Sequence, residues 1–135
     1  MSIATSKKVL CVDDDVDDQM IVTDTIQEID SSIEVITALN GVEALEILEK
    51  TKNTNDLPCL IIMDINMPLM DGKQTLVEIK KDRDLDGVPV VMFTTSSSQL
   101  DVAFCEQYGV DFITKPINMQ DFHDTIQKLL SFRAC

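Results

Sequence analysis

Five times along the chain a short apolar, β-rich run gives way to a stretch with helical periodicity, and this alternation restricts the fold more than any other feature. Residues 9–12 form the first run, which stops at Asp13. Asp15, Asp17 or Asp18 can cap the helix that follows, and Val22, Ile26 and Ile29 recur on one helical face. Residues 33–38 read as a second strand, ended by Asn40-Gly41, and Val42, Leu45 and Leu48 mark the next helix. Residues 59–63 are continuously apolar, the pattern of a strand buried on both faces, and end at Asp64. A loop with Pro68 and Gly72 leads to a helix bearing Leu76 and Ile79. Residues 88–93 form a fourth strand, ending at Thr94, and a helix over 99–108 is closed by Gly109 at a C′ position. Residues 110–113 form a fifth strand ending near Lys115-Pro116, and Met119, Phe122, Ile126, Leu129 and Leu130 stripe the last helix. Five βα units predict an α/β domain, a doubly wound parallel sheet with helices on both faces. Ligands of such sheets sit outside the carboxyl ends of the strands.

Length and composition fit one globular domain: 135 residues, 44% hydrophobic and 26% charged. No apolar run approaches the ~20 residues of a membrane-spanning helix, and residues 1–8 lack the apolar core of a signal peptide. With 24 acidic against 11 basic residues the formal charge is −13. Such a surface repels nucleic-acid phosphate and anionic lipid. The four cysteines, Cys11, Cys59, Cys105 and Cys135, form no CxxC pair. Cys11 and Cys59 lie in or beside apolar runs, where a free thiol behaves as a small hydrophobe. These features predict a reducing, cytoplasmic setting without disulfide or zinc, with Cys135 near a frayed end and open to adventitious intermolecular bonds.

The strand ends carry the chemistry. Strand one ends in Asp13-Asp14-Asp15, strand three in Asp64, strand four in Thr94-Thr95, and strand five near Lys115. Carboxylates gathered in one crevice repel one another unless a cation shares them. Oxygen ligands without thiolate or imidazole select Mg²⁺ or a relative such as Mn²⁺. A carboxylate can take a phosphoryl group as a nucleophile, while a lysine and a hydroxyl hold its oxygens. Asp64, alone on the central strand, is the candidate nucleophile, and the paired Asp13 and Asp14 are the candidate metal ligands. Asp17 and Asp18 are explained as acids at a helix N-terminus. A calcium loop is excluded, because Asp18 and Asp24 stand where such a loop needs glycine and glutamate. His123, the only histidine, has no partner and reads as a surface residue; Met67, Met70 and Met119 read as packing and loop fill.

Four stretches together resemble the receiver domain of bacterial two-component response regulators, the CheY-like family. They are Val9-Leu10-Cys11-Val12-Asp13-Asp14-Asp15, Met63-Asp64-Ile65-Asn66-Met67-Pro68-Leu69-Met70-Asp71-Gly72, Val90-Val91-Met92-Phe93-Thr94-Thr95-Ser96 and Lys115-Pro116. The resemblance runs from about Lys8 to Leu130. It implies a flavodoxin-like (βα)₅ fold with strand order 2-1-3-4-5, Asp64 as phosphoacceptor, and Asp14 as a direct Mg²⁺ ligand. Asp13 would act on the metal through water, and Asn66 through its backbone carbonyl. Thr94 and Lys115 would bond the phosphoryl oxygens, Phe112 would be the aromatic switch, and the Lys115-Pro116 bond would be cis. Phe112 stands where tyrosine is more usual, Thr95 where a smaller residue is, and Ile117 replaces a frequent phenylalanine.

The implied organisation is an extended or disordered N-terminus at 1–7, a receiver domain at 8–131 and a tail at 132–135 with no output domain. The implied function is a phosphorylatable switch rather than a metabolic enzyme, catalysing only its own phosphorylation and hydrolysis. Its donor would be a sensor histidine kinase or a histidine phosphotransfer protein. Output would pass through a downstream protein at the face of helix four, strand five and helix five, with the chain a monomer or a phosphorylation-linked dimer. Rival readings fit less well. An aspartate-nucleophile phosphatase of the haloacid-dehalogenase kind needs Thr or Val where Asp17 stands, and a cap domain. A flavodoxin electron carrier needs a hydroxyl- and glycine-rich loop after strand one and aromatics around the flavin, whereas that loop is acidic and Tyr108 is the only tyrosine. A receiver that binds partners without phosphorylation shares the fold, but would not need the full set Asp13, Asp14, Asp64, Thr94 and Lys115.

Overall fold

The computed structural model describes residues 7–135. The chain runs β1(Lys8–Val12) α1(Val16–Ile29) β2(Glu34–Ala38) α2(Gly41–Asn53) β3(Leu60–Met63) α3(Gly72–Lys81) β4(Val90–Thr94) α4(Gln99–Gln107) β5(Asp111–Thr114) α5(Gln120–Leu130). All neighbouring strands pair in parallel, in the order β2-β1-β3-β4-β5. This is the CheY-like arrangement that the resemblance implies. The extended N-terminus expected at 1–7 falls, but for Lys7, outside the described residues. The Lys7 carbonyl accepts from the Glu34 amide at 2.8 Å, extending the β1–β2 pairing.

The sheet divides the core in two because side chains alternate along each strand. Leu10, Val12, Ile61, Met63 and Met92 face α2, α3 and α4, which supply Ala44, Leu48, Leu76, Ile79 and Cys105. Val9, Cys11, Leu60, Ile62 and Phe93 face α1 and α5, which supply Val22, Ile26, Phe122, Ile126 and Leu129. β1, β3 and β4 are thereby covered on both sides, which explains their continuous apolar runs. The edge strands β2 and β5 are half exposed.

Local signals set the helix ends. Asp15 caps α1, its Oδ1 accepting from the amides of Asp17 (3.0 Å) and Asp18 (3.2 Å). Asn40 caps α2 by accepting from the Glu43 amide. Asp71 forms a capping box with Gln74 at the start of α3. Gly109, with φ 68°, ends α4 in the left-handed region. The amides of Val110 and Gly109 return to the carbonyls of Cys105 and Glu106, the two bonds of a Schellman motif.

Two expectations are corrected. Cys59 and Cys135 are joined as a disulfide, with Cα atoms 5.5 Å apart. After α5 the chain turns back, and the Ala134 amide donates to the Cys59 carbonyl at 2.9 Å, which carries Cys135 to the head of β3. The tail is therefore not frayed. Cys11 and Cys105 are free and buried, as read from the sequence for Cys11. The Lys115–Pro116 bond is trans, since no peptide bond among the described residues is cis. Trans is the preferred isomer of an X–Pro bond by roughly 0.5–1 kcal/mol, and from it the Lys115 side chain reaches its acidic partners. No helix among the described residues is long and apolar enough to cross a membrane.

Candidate functional site

The site is built at the carboxyl end of the sheet. β1 and β3 are neighbours, so the residues that follow them, Asp13 and Asp64, stand side by side. The Asp64 amide donates to the Val12 carbonyl at 2.9 Å, and the Asp13 amide to the Ala38 carbonyl at 3.0 Å. Gly72 lets α3 start directly on this floor. A Cβ there would lie 2.3 Å from the Asp64 carbonyl oxygen, so only glycine permits the approach. Its amide donates to the Ile65 carbonyl at 2.7 Å.

The carboxylates of Asp13, Asp14 and Asp64 place oxygens within 4.8 Å of one another. Asp13 is buried, Asp64 is 9% exposed, and Asp14 opens to solvent. Asp64 Oδ1 accepts from the Ile65 amide at 2.7 Å, while Oδ2 lies 3.2 Å from Lys115 Nζ. Lys115 is itself buried and also meets Asp13 at 2.7 Å and Asp18 at 2.8 Å. Burial opposes its charge, but the bonds it donates to Asp13 and Asp18 outweigh that and hold the ammonium above its ordinary value. Burial pushes the Asp13 carboxyl up from its ordinary value, against the hydrogen bond from Lys115.

Three converging carboxylates with one ammonium leave an uncompensated negative charge at the mouth. Hard oxygen donors, one of them solvent-facing, fit a divalent oxophilic cation that keeps part of its water shell. Asn66 is exposed, two residues beyond Asp64 on the same loop. Thr94, the last residue of β4, is fully buried, and its Oγ1 accepts from the Ser96 amide at 3.2 Å. The Lys115 amide donates to the Thr94 carbonyl at 2.8 Å, tying the two strand ends together. Phe112, half-buried in β5, packs on the α2–α3–α4 side of the core.

Three site residues escaped sequence reasoning. Asp18 was explained by its place in the first turn of α1, yet it holds Lys115 from 97 positions away. Gln19, buried, donates from Nε2 to the carbonyls of Asp13 (2.8 Å) and Ala38 (2.7 Å), clamping the ends of β1 and β2. A glutamine at a predicted buried helix position was the available signal. Asp101 on α4 is 8% exposed and bonded to Ser96 and Lys73; no local pattern marks it.

Comparison with known proteins agrees with this geometry. The family model for the response regulator receiver domain matches residues 9–127. The chain is 32% identical to response regulator Rcp1 of Synechocystis sp. over 129 residues, covering 93% of this chain and 88% of that one. It is 36% identical to a protein-glutamate methylesterase/protein-glutamine glutaminase of Methanococcoides burtonii, but spans only 34% of that longer protein. Among solved structures, the phosphorylated cyanobacterial phytochrome response regulator RcpA superposes with TM-score 0.86 at 29% identity, over 95% of this chain and 94% of that one. The Mn²⁺-bound form of Rcp1 superposes with TM-score 0.82 at 32% identity, over 93% and 92%. Fold, strand-end chemistry and family match coincide, and the chain belongs to the response regulator receiver domains of two-component systems.

Proposed function

We propose that this receiver takes a phosphoryl group on Asp64 from a histidine kinase or a histidine phosphotransfer protein, and signals through altered partner binding. The observation that carries the reading is the convergence of Asp13, Asp14 and Asp64 within 4.8 Å, with Lys115 Nζ 3.2 Å from Asp64 Oδ2. The phosphorylated state of RcpA and the Mn²⁺-bound state of Rcp1 support it by analogy. In the transfer, an Asp64 carboxylate oxygen bonds to phosphorus as the donor's phosphorus–nitrogen bond breaks, and the electron pair stays on the imidazole nitrogen. Lys115 is already charged and desolvated beside the acceptor, so it can meet the phosphoryl oxygens without recruiting a new cation. Thr94 supplies a hydroxyl from the neighbouring strand end. Asp13, Asp14 and Asp64, with the Asn66 carbonyl, would hold Mg²⁺, or Mn²⁺ in its place, which when bound neutralises charge on the transferring group.

The chain then catalyses only its own phosphorylation and dephosphorylation, and residues 8–131 form the signalling unit. With a formal charge of −13, a protein partner fits better than nucleic acid or anionic lipid. Inward movement of Thr94 and Lys115 would reshape the α4–β5–α5 face, where Phe112 lies, and that face is the output surface.

Acetyl phosphate with Mg²⁺ should label the wild-type protein once, as read by intact mass. Labelling should fail without a divalent cation and fail in Asp64→Asn, whose amide is a poor nucleophile. Full labelling of Asp64→Asn overturns the reading. Amide exchange on the labelled protein should change over residues 99–117; change confined to α1 would move the output surface there.

A further inference from the structure

α4 is anchored unusually. Of its nine residues only Asp101 and Cys105 are buried, and its N-cap Ser98 makes no side-chain capping bond. One of these two buried residues is a carboxylate, and beside them the half-buried Phe104 packs on the core. Asp101 Oδ1 lies 2.6 Å from Lys73 Nζ, and its Oδ2 accepts from Ser96 Oγ at 2.7 Å. Lys73 also sits 5.8 Å above the Phe104 ring, one turn further along α4. An apolar side chain at such a position would hold the helix at least as firmly. What the ion pair adds is an anchor that opens when either partner is displaced.

Both ends of this anchor touch the phosphoryl machinery. Lys73 follows Gly72, whose backbone rests on Asp64 and Ile65. Ser96 donates its amide to Thr94 Oγ1 at 3.2 Å, and its Oγ accepts from the Ser98 amide at 3.3 Å. A continuous path of bonds thus runs from the floor beneath Asp64, through Lys73, Asp101 and Ser96, to the Thr94 hydroxyl. A swing of the Thr94 hydroxyl toward a group on Asp64 would have to break its bond from the Ser96 amide, or move a loop whose Ser96 side chain is bonded to Asp101.

We propose that Lys73, Asp101 and Ser96 form a latch that holds the β4–α4 loop and Thr94 in the resting orientation and opposes engagement of a phosphoryl group on Asp64. The three are positioning residues, acting through Thr94. This rests on Asp64 being the phosphoacceptor. A latch that favours the resting state lowers the competent fraction, so weakening it tightens the apparent affinity for any phosphoryl analogue.

The probe is beryllofluoride with Mg²⁺, titrated by calorimetry. Lys73 is one-third exposed, so Lys73→Met should fold as wild type does and carries the decision. Lys73→Met and Asp101→Asn should each tighten beryllofluoride binding about 5-fold, the lower range of coupling free energies between sites. The double variant should also gain about 5-fold rather than the product, because both changes open one latch. Lys73→Arg, which keeps the ion pair, should stay near wild type. Unchanged or weaker binding by Lys73→Met overturns the latch while leaving Asp64 in place. Failure of the wild-type protein to bind beryllofluoride overturns the phosphoacceptor reading itself.

Discussion

Asp101 shows how one side chain acquires a role from its neighbours. The Lys73 ammonium first, and the Ser96 hydroxyl second, hold its carboxyl below the usual carboxylate range. A group with a depressed folded value stabilises the fold above its ordinary value of 3.8, and that stability is lost as pH falls through the lower folded value. As pH is lowered past 3.8, the wild-type melting temperature should therefore fall further than that of Asp101→Asn. Parallel acid profiles would show that the Lys73 pair does not contribute. Asp13 has the opposite sign, because burial raises it: its charge is a burden on the fold that eases on acidification. Asp13 and Asp14 were legible because no helix terminus explains a pair of acids ending a buried strand. Asp18 was not, because the dipole of α1 explains an acid there equally well. Only the approach of Lys115 separates the two explanations.

At the scale of elements, the strands buried on both faces were the easiest to read and the edges the hardest. β3 and β4 declare themselves by unbroken apolar residues, whereas β5, with the sequence Asp-Phe-Ile-Thr and half its surface exposed, is weakly marked. Gly72 read as part of a loop, but Asp71-Gly72 is the capping start of α3, and Gly72 is what lets that helix sit on the end of the strand that leads into Asp64. Gly72→Ala should destabilise by about 2 kcal/mol, the overpacking range, since its Cβ would meet backbone rather than a yielding side chain. It should also slow acetyl phosphate labelling by shifting Asp64. A variant with wild-type urea midpoint and labelling rate would show that the α3 start gives way without disturbing the site.

For the whole molecule, the Cys59–Cys135 bond closes a loop across 76 positions, joining the head of β3 to the end of the chain. Loop-closure entropy puts its effect at about 4.5 kcal/mol on the unfolded chain, so reduction should lower the melting temperature by roughly 15 °C. Cys59→Ser should melt at the lowered temperature with or without reductant. In denaturant, two thiols should titrate before reduction and four after it. Cys11 should resist thiol reagents in the native state, because burial pushes its thiol up to about 12. Four thiols before reduction would show the bond absent in solution. The sequence by itself determined the five βα units and the placing of Asp13, Asp14, Asp64, Thr94 and Lys115 at or near the strand ends. Hydrophobic periodicity and strand ends are local signals, and a parallel sheet gathers its strand ends at one edge. Tertiary structure alone decided the Cys59–Cys135 pairing, the grip of Asp18 on Lys115 and the Lys73–Asp101–Ser96 chain. Those contacts join residues far apart in the chain, through side chains whose local settings allow several partners, and only the folded path of the backbone selects among them.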